Sequence, residues 1–281
     1  MKEKLAIIDA DGLIFFAAWE HRERMNSIGT LAVEKKIDRL ISELLQKSGC
    51  SKYIGFYGES SEEKSFRYNF ATIKPYKGHR KDEEWQKFFK KVVRKRFKEK
   101  WGFYPVKKLE ADDAVNIAFH QFKSDYDIVA IEEDKDGLQK GEFVRLNPNR
   151  RSNINLKLEK FEHLEGRKFF WSQMLHGDQT DNIPGIEGVG QGKKGGRTSK
   201  NKLVQALWAM EDPSEEDMFN HVRDCYIEKY KDFYLYYLVE NYVLLKMLDE
   251  PIMDYPSNIK ISNFGENIKK RSNLGDLKNL I

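Results

Sequence analysis

Short apolar runs along the chain alternate with longer stretches of mixed polarity. The runs Lys4–Asp9, Tyr53–Tyr57 and Asp127–Ile131 are rich in aliphatic and aromatic residues and are bounded by polar residues or glycine. Apolar runs of this length predict strands that are buried on both faces of a sheet. A further run at Phe103–Val106 predicts one more strand.

Between these runs, apolar residues recur at spacings of three and four. This pattern predicts helices over Leu31–Leu45 and Leu109–Phe122. Strands that alternate with helices predict an α/β fold with a mostly parallel central sheet flanked by helices. Beyond about residue 165 the strand signals fade, and the chain is helical in pattern apart from a glycine-rich stretch at 177–196. We therefore predict a core over 1–165 and a mainly helical region over 166–281.

The composition narrows the class of protein. The 281 residues are 40% hydrophobic and 13% aromatic, which is enough to bury a sizeable core and excludes an intrinsically disordered chain. The longest apolar run, Leu13–Trp19, is far shorter than the ~20 residues of a membrane-spanning helix, and no export segment is recognisable. Cys50 and Cys225 form neither a disulfide framework nor a zinc pattern. We expect a cytoplasmic monomer without a membrane span.

The net charge of +4, from 49 basic and 45 acidic residues, hides an uneven distribution. The segment Lys64–Lys108 holds 16 Lys or Arg and four acidic residues, whereas Gln191–Lys202 holds five basic residues and no acidic one. The rest of the chain is therefore acidic. Two basic segments and an acidic remainder fit a protein that holds a polyanion on one surface and a cation on another, although a solvated surface explains any single basic run.

Part of the first basic segment predicts a basic amphipathic helix. Trp85, Phe89 and Val93 belong to an apolar stripe at helical spacing. An ordinary surface helix packed on the core explains this pattern, and the basic face also suits an anionic membrane surface or a partner protein. The basic residues that fall mostly on the other face are Lys87, Lys90, Lys91, Arg94, Lys95 and Lys98.

Acidic residues cluster after the predicted strands and before the glycine-rich stretch. Each group alone is explained as helix caps or turn residues. Because the carboxyl ends of parallel strands meet at one edge of a sheet, convergence of the groups would raise their pKa values unless a cation compensates the charge. Oxygen ligands without a His or Cys constellation favour Mg²⁺ or Mn²⁺ over zinc. The groups are Asp9 with Asp11, Glu110 with Asp112 and Asp113, Asp134 with Asp136, and Asp178 with Asp181.

An ordered set of motifs resembles the 5′ nuclease or flap endonuclease superfamily, especially its bacteriophage members that remove RNA primers and 5′ flaps during replication. Any one motif is weak, whereas the ordered set is specific and covers roughly the first 200 residues. The tail segment YLVENYVLLKMLDEPI (237–252) also resembles the closing helix of that family. The motifs are IIDADGLI (7–14), FRYNF and PYKGHRK (within 66–81), EADD (110–113), EEDKDGLQ (132–139) and GDQTDNIPGIEGVG (177–190).

The resemblance implies a PIN-like nuclease core with two divalent ions, Mg²⁺ or Mn²⁺, in an acidic cleft. Two such ions activate a water molecule and stabilise the leaving 3′ oxygen, giving 5′-phosphate and 3′-hydroxyl products. The implied substrates are 5′ flaps, nicked or branched DNA, and RNA:DNA hybrids, the last through an RNase H activity. Asp9, Glu110, Asp112 and Asp113 would ligate or orient the first ion, and Asp134, Asp136, Asp178 and Asp181 would form the second site.

The resemblance also assigns roles to basic residues. Lys77 and Arg80 match a basic pair at the base of a helical arch, where they would contact the scissile phosphate. Arg67 matches a recurring family arginine and would contact nucleic acid, although a salt bridge explains it equally well. The basic helix falls at the family's arch, about 82–101, and its Lys87, Lys90, Lys91, Arg94 and Lys95 would grip backbone phosphates without reading sequence.

The glycine-rich stretch is similar to the hairpin of a helix-two-turn-helix element, expected at 183–196. Its spacing is G-x-x-G-x-G, and no strand precedes it, so it is not a dinucleotide-binding loop. The resemblance implies that Gly188 and Gly190 present backbone amides to duplex phosphates, with a monovalent ion such as K⁺ nearby. Lys193 and Lys194 would extend that contact.

The sequence departs from the family pattern in two places. Where many relatives have an aspartate after the second strand, this chain offers Glu59 or Ser60, and Glu132 and Glu133 replace a Ser-Thr pair. The Glu59 region therefore leaves open an inactive DNA-binding accessory protein with the same fold, and a PIN-like ribonuclease is a third alternative. Replication proteins such as a single-strand-binding protein, clamp or polymerase are expected partners, and the tail from Asn267, expected to be weakly held, is a candidate docking segment.

Overall fold

A computed structural model of the chain describes residues 2–59, 65–149, 156–190, 199–252 and 254–265. Ser60, Lys193, Lys194 and the tail from Asn267 lie outside the described residues. No helix in the described ranges is both long enough and apolar enough to cross a membrane.

The described residues form one sheet of seven strands, in the spatial order β3-β2-β1-β4-β5-β6, with β7 paired to the start of β2. The mostly parallel sheet that the sequence predicts is confirmed, since only β6 and β7 run antiparallel to their neighbours. The strands are β1 Glu3–Asp9, β2 Lys52–Gly58, β3 Tyr104–Val106, β4 Tyr126–Ile131, β5 Phe143–Leu146, β6 Leu158–Phe161 and β7 Ser262–Asn263.

Helices cover both faces of this sheet and form a separate cluster after it. Shorter helical turns lie at Trp19–His21, Phe97–Trp101, Lys135–Lys140 and Lys231–Phe233. The α-helices of the described residues are α1 Asp11–Ala18, α2 Ser27–Ser48, α3 Arg67–Phe70, α4 Glu84–Arg96, α5 Ala111–Phe122, α6 His163–His176, α7 Lys202–Ala209, α8 Glu215–Tyr230 and α9 Tyr234–Leu245.

The central strand β1 shows why the sheet is buried on both sides. Its residues alternate between two hydrophobic clusters: Ala6 and Ile8 face α1, α2 and α4, whereas Leu5 and Ile7 face α5. A strand places successive side chains on opposite faces, so a continuous apolar run fills both. A third cluster joins α6, α7, α8 and α9. The fold thus consists of a two-faced sheet and an attached group of helices.

The sequence pattern missed elements whose hydrophobic and polar positions show no clear period. The strands β5 and β6 lie toward one side of the sheet, and their exposed or half-exposed positions break the apolar run. The helix α1 has apolar residues nearly all round, so it gave no helical period. The predicted strands and the helices over Leu31–Leu45 and Leu109–Phe122 are present as β1 to β4, α2 and α5.

The basic helix α4 is packed onto the core along its apolar stripe. Trp85, Phe89 and Val93 are buried against α1 and α2. Lys87, Lys91 and Lys95 are exposed on the opposite side. The helix α4 therefore has a buried apolar face and a basic face that is exposed to solvent.

Candidate metal centre and nucleic-acid interface

The parallel sheet brings acidic residues from distant parts of the chain to one edge. Asp9 ends β1, and β4 pairs with β1 in parallel register, with Ile8 opposite Ile131. Asp134 and Asp136 follow β4 on the turn that begins at Lys135. The carboxyl edge of a parallel sheet is where the side chains of separate strand ends meet.

The first acidic group lies at the start of α5. Glu110 precedes the helix and forms a capping box with Asp113, in which each side chain accepts from the other residue's backbone N–H. One carboxylate oxygen from each of Glu110, Asp112 and Asp113 lies within 4.8 Å of the others, an arrangement that could hold a metal ion. The capping geometry explains why three acidic residues stand together at this helix start.

Asp113 is held by an arginine rather than facing solvent. Arg67 Nη2 donates to Asp113 Oδ1 over 2.8 Å, and its Nε donates to the carbonyl of Leu244 over 3.0 Å. Arg67 is 3% exposed and Asp113 is 0% exposed. The salt-bridge alternative for Arg67 is thus the one that the structure contains, and the nucleic-acid contact implied by the family resemblance is not supported. Within the acidic group, Asp113 is placed to orient its neighbours.

Two sequence motifs that lie a hundred residues apart meet at Asp181. Arg80 Nη2 donates to Asp181 Oδ1 over 2.6 Å, and Lys77 Nζ bridges Glu110 and, at 3.4 Å, Asp181 Oδ2. The Tyr76 hydroxyl lies 2.6 Å from Glu110 Oε2 and 2.8 Å from Asp181 Oδ2. Lys77 and Tyr76 therefore connect the first acidic group to the second, and Arg80 pairs with Asp181 of the second group.

The second acidic group surrounds Asp136 and Asp178. Gln173 Nε2 donates to Asp136 Oδ1 over 2.7 Å, and the backbone N–H of Asp136 donates to Asp134 Oδ1 over 3.0 Å. Lys135 Nζ lies 3.1 Å from Asp178 Oδ2. Each of the four carboxylates that the sequence assigned to a second site thus has a contact in this region. Asp134 accepts from the Asp136 backbone, Asp178 pairs with Lys135, and Asp181 pairs with Lys77.

A closed loop presents Asp178 and Asp181. The backbone of Asp178 exchanges two hydrogen bonds with Ile183, of 2.9 and 2.8 Å. Gly177 and Gly185 flank this bridge with φ of +70° and +60°, and a Cβ at Gly177 would lie 2.1 Å from the Ile183 carbonyl oxygen. Only glycine fits such a close backbone crossing with this conformation.

The electrostatics separate compensated carboxylates from uncompensated ones. Burial raises the pKa of Asp9 to about 8, and the neighbouring Asp11 carboxylate adds to the shift. Burial, reinforced by acidic neighbours, also raises the pKa values of Asp112 and Asp136 well above the ordinary range. Burial opposes ionisation of Glu110 too, but Lys77 and Arg67 hold its pKa below the ordinary value. Among the described residues, no Lys, Arg or His pairs with Asp9, Asp112 or Asp136.

These observations test whether the residues fit a hard divalent ion. The donor set is made of carboxylates, which Mg²⁺ and Mn²⁺ prefer. Asp11 Oδ1 is buried and has no hydrogen-bond partner among the described residues. Buried, mutually repelling carboxylates with orphaned oxygens are what a divalent ion neutralises, so the site fits one.

The basic helix α4 borders this centre. Burial raises the pKa of Asp11, and the positive charges of Arg94 and Lys90 oppose the shift, so both cations lie close enough to act on the carboxylate. Lys90 Nζ is also 2.5 Å from Asp82 Oδ2. Of the predicted nucleic-acid-binding residues, Lys90 and Arg94 thus face the centre, and the others on the helix face solvent.

The start of the glycine-rich hairpin is anchored to the helical cluster. The Gly185 N–H donates to Asn241 Oδ1 over 2.9 Å, and the Glu187 N–H donates to the Tyr230 hydroxyl over 3.0 Å. Gly188 and Gly190 are exposed, and a Cβ at either would contact nothing within 4 Å. The backbone here is open to a large partner.

Sequence reasoning left several site residues without a role. Tyr76 and Gln173 contact the carboxylates directly, yet only the position of Tyr76 beside Lys77 could have signalled it. Glu132, which stands where the family has a Ser-Thr pair, is 2% exposed and pairs with Lys140 Nζ at 2.7 Å. Glu59 lies 3.6 Å from Lys107 Nζ.

No family model matches the sequence. A DNA polymerase I of Caldicellulosiruptor bescii is 28% identical over 166 residues, which are 55% of this chain and 18% of that protein. The chain thus spans about a fifth of the length of the curated relative that it matches.

Solved T5 structures share the fold. The T5 D15 protein co-crystallised with metal ions matches with a TM-score of 0.54 at 16% identity, over 87% of this chain and 100% of that one. The T5 D15 flap endonuclease in a pseudo-enzyme–product complex with DNA and metal ions matches with a TM-score of 0.53 at 17% identity, over 86% and 99%. The T5 5′-exonuclease with bound zinc gives 0.51 at 18% identity, over 87% and 100%. The chain therefore shares its fold with these T5 structures, as the resemblance in the sequence predicts.

Proposed function

We propose that this protein is a divalent-metal-dependent nuclease that hydrolyses phosphodiesters near 5′ ends in flapped or nicked duplexes and in RNA primers paired to DNA. The observation that carries the proposal is a set of half-buried carboxylates, Asp9, Asp112 and Asp136, that have no cationic partner among the described residues and lie near Lys77 and Arg80. The metal-bound and DNA-bound states of the T5 proteins with this fold support it.

Two Mg²⁺ or Mn²⁺ ions would be held by two groups of carboxylates. When bound, such ions supply Lewis-acid stabilisation and a water of lowered pKa. Asp113 would orient the first group through Arg67, since protein donors already occupy its oxygens. The first group is Asp9, Glu110, Asp112 and Asp113, and the second is Asp134, Asp136, Asp178 and Asp181.

Lys77 and Arg80 would act on the substrate phosphate. Burial favours the neutral form of Lys77, but the charges of Glu110 and Asp181 outweigh it and raise its pKa above the ordinary value, so Lys77 is a permanent cation and not a base. Arg80 presents a guanidinium whose side chain is 46% exposed, which leaves it accessible to a ligand. Both would offset the charge that builds on phosphoryl oxygens during displacement.

Nucleic acid would lie over the exposed basic face of α4 and the glycine-rich hairpin. Lys87, Lys91 and Lys95 are exposed lysines on one helix, suited to backbone phosphates and not to base edges. Backbone amides near Gly188 would meet duplex phosphates, with a K⁺ ion as a candidate companion.

The test is cleavage of a 5′-labelled flapped or nicked duplex in Mg²⁺. We expect short 5′ products, and little product from the double variant Asp134→Asn with Asp181→Asn, because both substitutions remove metal-site charge. A matched control is Asp82→Asn, an exposed carboxylate beside α4. Full activity of the double variant, or no cleavage by the wild type, would contradict the proposal.

The same substrates separate the alternatives. Tight flap binding that is independent of metal and gives no product would indicate an accessory DNA-binding protein. Faster hydrolysis of a structured RNA than of matched DNA or RNA:DNA duplexes would indicate a PIN-like ribonuclease.

A further inference from the structure

We propose that Lys135 is an internal counter-ion of the second carboxylate group, whose ammonium competes with a divalent ion for Asp178. The inference rests on the proposed function, because it concerns the metal site on which that function depends. It predicts that the two metal sites differ in affinity and that Lys135 sets the difference.

The contact itself is specific. Lys135 Nζ lies 3.1 Å from Asp178 Oδ2, and the Thr180 N–H donates to Asp178 Oδ1 over 2.7 Å. The Asp178 side chain is 3% exposed, so these two donors occupy both of its oxygens in a buried setting. A divalent ion that takes Oδ2 as a ligand must displace the ammonium.

Lys135 also lies next to other members of the second group in the chain. It stands between Asp134 and Asp136 on the turn after β4. The ammonium that pairs with Asp178 is therefore carried by the same turn as two other members of the second group. Its side chain is 34% exposed, so it is free to turn into solvent when displaced.

The cations of the first group, Arg67 and Lys77, are more deeply buried than Lys135. Among the described residues, Asp112 has no cationic partner. Lys77, which pairs with Glu110, is 13% exposed and its backbone N–H donates to the Asp181 carbonyl over 2.8 Å, so it is fixed between the groups. A cation binding at Asp112 displaces nothing, whereas one binding at Asp178 displaces Lys135. We therefore expect the second group to bind metal more weakly.

The test is Mn²⁺ binding to the full chain without nucleic acid, by isothermal titration calorimetry and by the electron paramagnetic resonance signal of free Mn²⁺. For the wild type we expect two sites of unequal affinity. In Lys135→Gln the weaker site should tighten by about tenfold, because a nearby like charge is removed, and the tighter site should change little. Lys135→Arg, which keeps the charge, should resemble the wild type.

Lys52→Gln is the matched control. Lys52 is similarly exposed, at 29%, and pairs with Glu3 at 2.7 Å at the opposite end of the sheet. Its removal should leave both Mn²⁺ affinities unchanged. Unchanged affinities in Lys135→Gln, or a tightening equal to that of Lys52→Gln, would overturn the inference while leaving the proposed nuclease intact. Absence of Mn²⁺ binding by the wild type would overturn both.

Discussion

At the scale of single residues, buried charges in this protein fall into two kinds. Arg67 with Asp113 and Lys140 with Glu132 are buried ion pairs with hydrogen-bonded partners. Asp112 is half-buried among like charges and has no such partner among the described residues. Ion pairs of the first kind hold the structure together, and carboxylates of the second kind need an external cation. Burial alone therefore does not mark a functional residue, whereas burial without a partner does.

Arg67→Met should destabilise the protein by about 3–5 kcal/mol, because it leaves the Asp113 carboxylate buried and unpaired. Urea unfolding measures the change. The double variant Arg67→Met with Asp113→Leu should be more stable than the single one. The control is Arg22→Met, which breaks a pair with Glu23 that is exposed. A loss no larger than that of the control would show that the buried pair contributes little.

We expect the stability of the protein to depend on pH through His120. Burial, with the adjacent charge of Lys123, lowers the pKa of His120 from 6.5 to about 4. As the pH falls from about 6.5 to about 4, the unfolded chain binds a proton that the native protein resists, so stability falls. The slope is at most about 1.4 kcal/mol per pH unit and smaller here, since the ring is partly exposed.

Urea unfolding of the wild type and of His120→Gln at pH 7 and pH 5 checks this expectation. The variant should lose less stability on acidification than the wild type. His79→Gln, at an exposed histidine, should behave like the wild type. Equal acid sensitivity in all three proteins would count against a role for His120.

At the scale of elements, α4 is fastened to the core at its carboxyl end. Asp38 on α2 accepts hydrogen bonds from Arg96 Nη2 at 2.6 Å and Trp101 Nε1 at 2.9 Å, and it pairs with Lys100. Arg94, two residues before Arg96, is thereby held beside the acidic centre. The basic face of α4 is consequently a surface with a fixed position relative to the carboxylates.

Asp38→Ala should loosen this end of α4. Asp38 is 6% exposed, and its removal takes away an acceptor that Arg96, Lys100 and the Trp101 indole N–H share, at a cost of about 3 kcal/mol. Hydrogen exchange followed by mass spectrometry should show faster exchange over 93–101. Asp82→Ala, which removes an exposed partner of Lys90, should leave that exchange rate unchanged. Equal exchange in both variants would argue against the fastening role.

The elements also show what the sequence can and cannot predict. The strands β1, β2 and β4 were predictable because their apolar runs fill two hydrophobic clusters. The acidic groups were predictable because they follow strand ends or open helices. The pairing of Lys135 with Asp178 was not, since it depends on how α6 and the turn after β4 pack in three dimensions.

At the scale of the whole molecule, the 49 basic and 45 acidic residues nearly cancel in net charge but are concentrated in different regions. Exposed lysines of α4 stand on one side of the centre, and the carboxylates lie at the carboxyl edge of the sheet. A polyanion held by exposed lysines is held electrostatically, so its affinity depends on salt.

Substituting Lys87, Lys91 and Lys95 together by Gln should weaken binding of a flapped duplex and reduce its salt dependence. Each lost phosphate contact lowers the magnitude of the slope of log K against log salt by roughly 0.7–0.9, so we expect a decrease of about 2. Fluorescence anisotropy in Ca²⁺ at several salt concentrations gives the slope. The exposed lysines Lys2, Lys4 and Lys123, at the amino edge of the sheet, are the control set. A slope that changes equally in both sets would place the nucleic acid elsewhere.

The loop that carries Asp178 and Asp181 is hydrogen-bonded to two separate parts of the protein. Its bridge to Ile183 leaves it little freedom of its own, its Asp181 carbonyl accepts from the Lys77 backbone, and its far end is tied through Gly185 to Asn241 on α9. A duplex that pulled on the hairpin would therefore also pull on the carboxylates. In the proposed nuclease, the positions of Asp178 and Asp181 would therefore depend on how a duplex binds the hairpin.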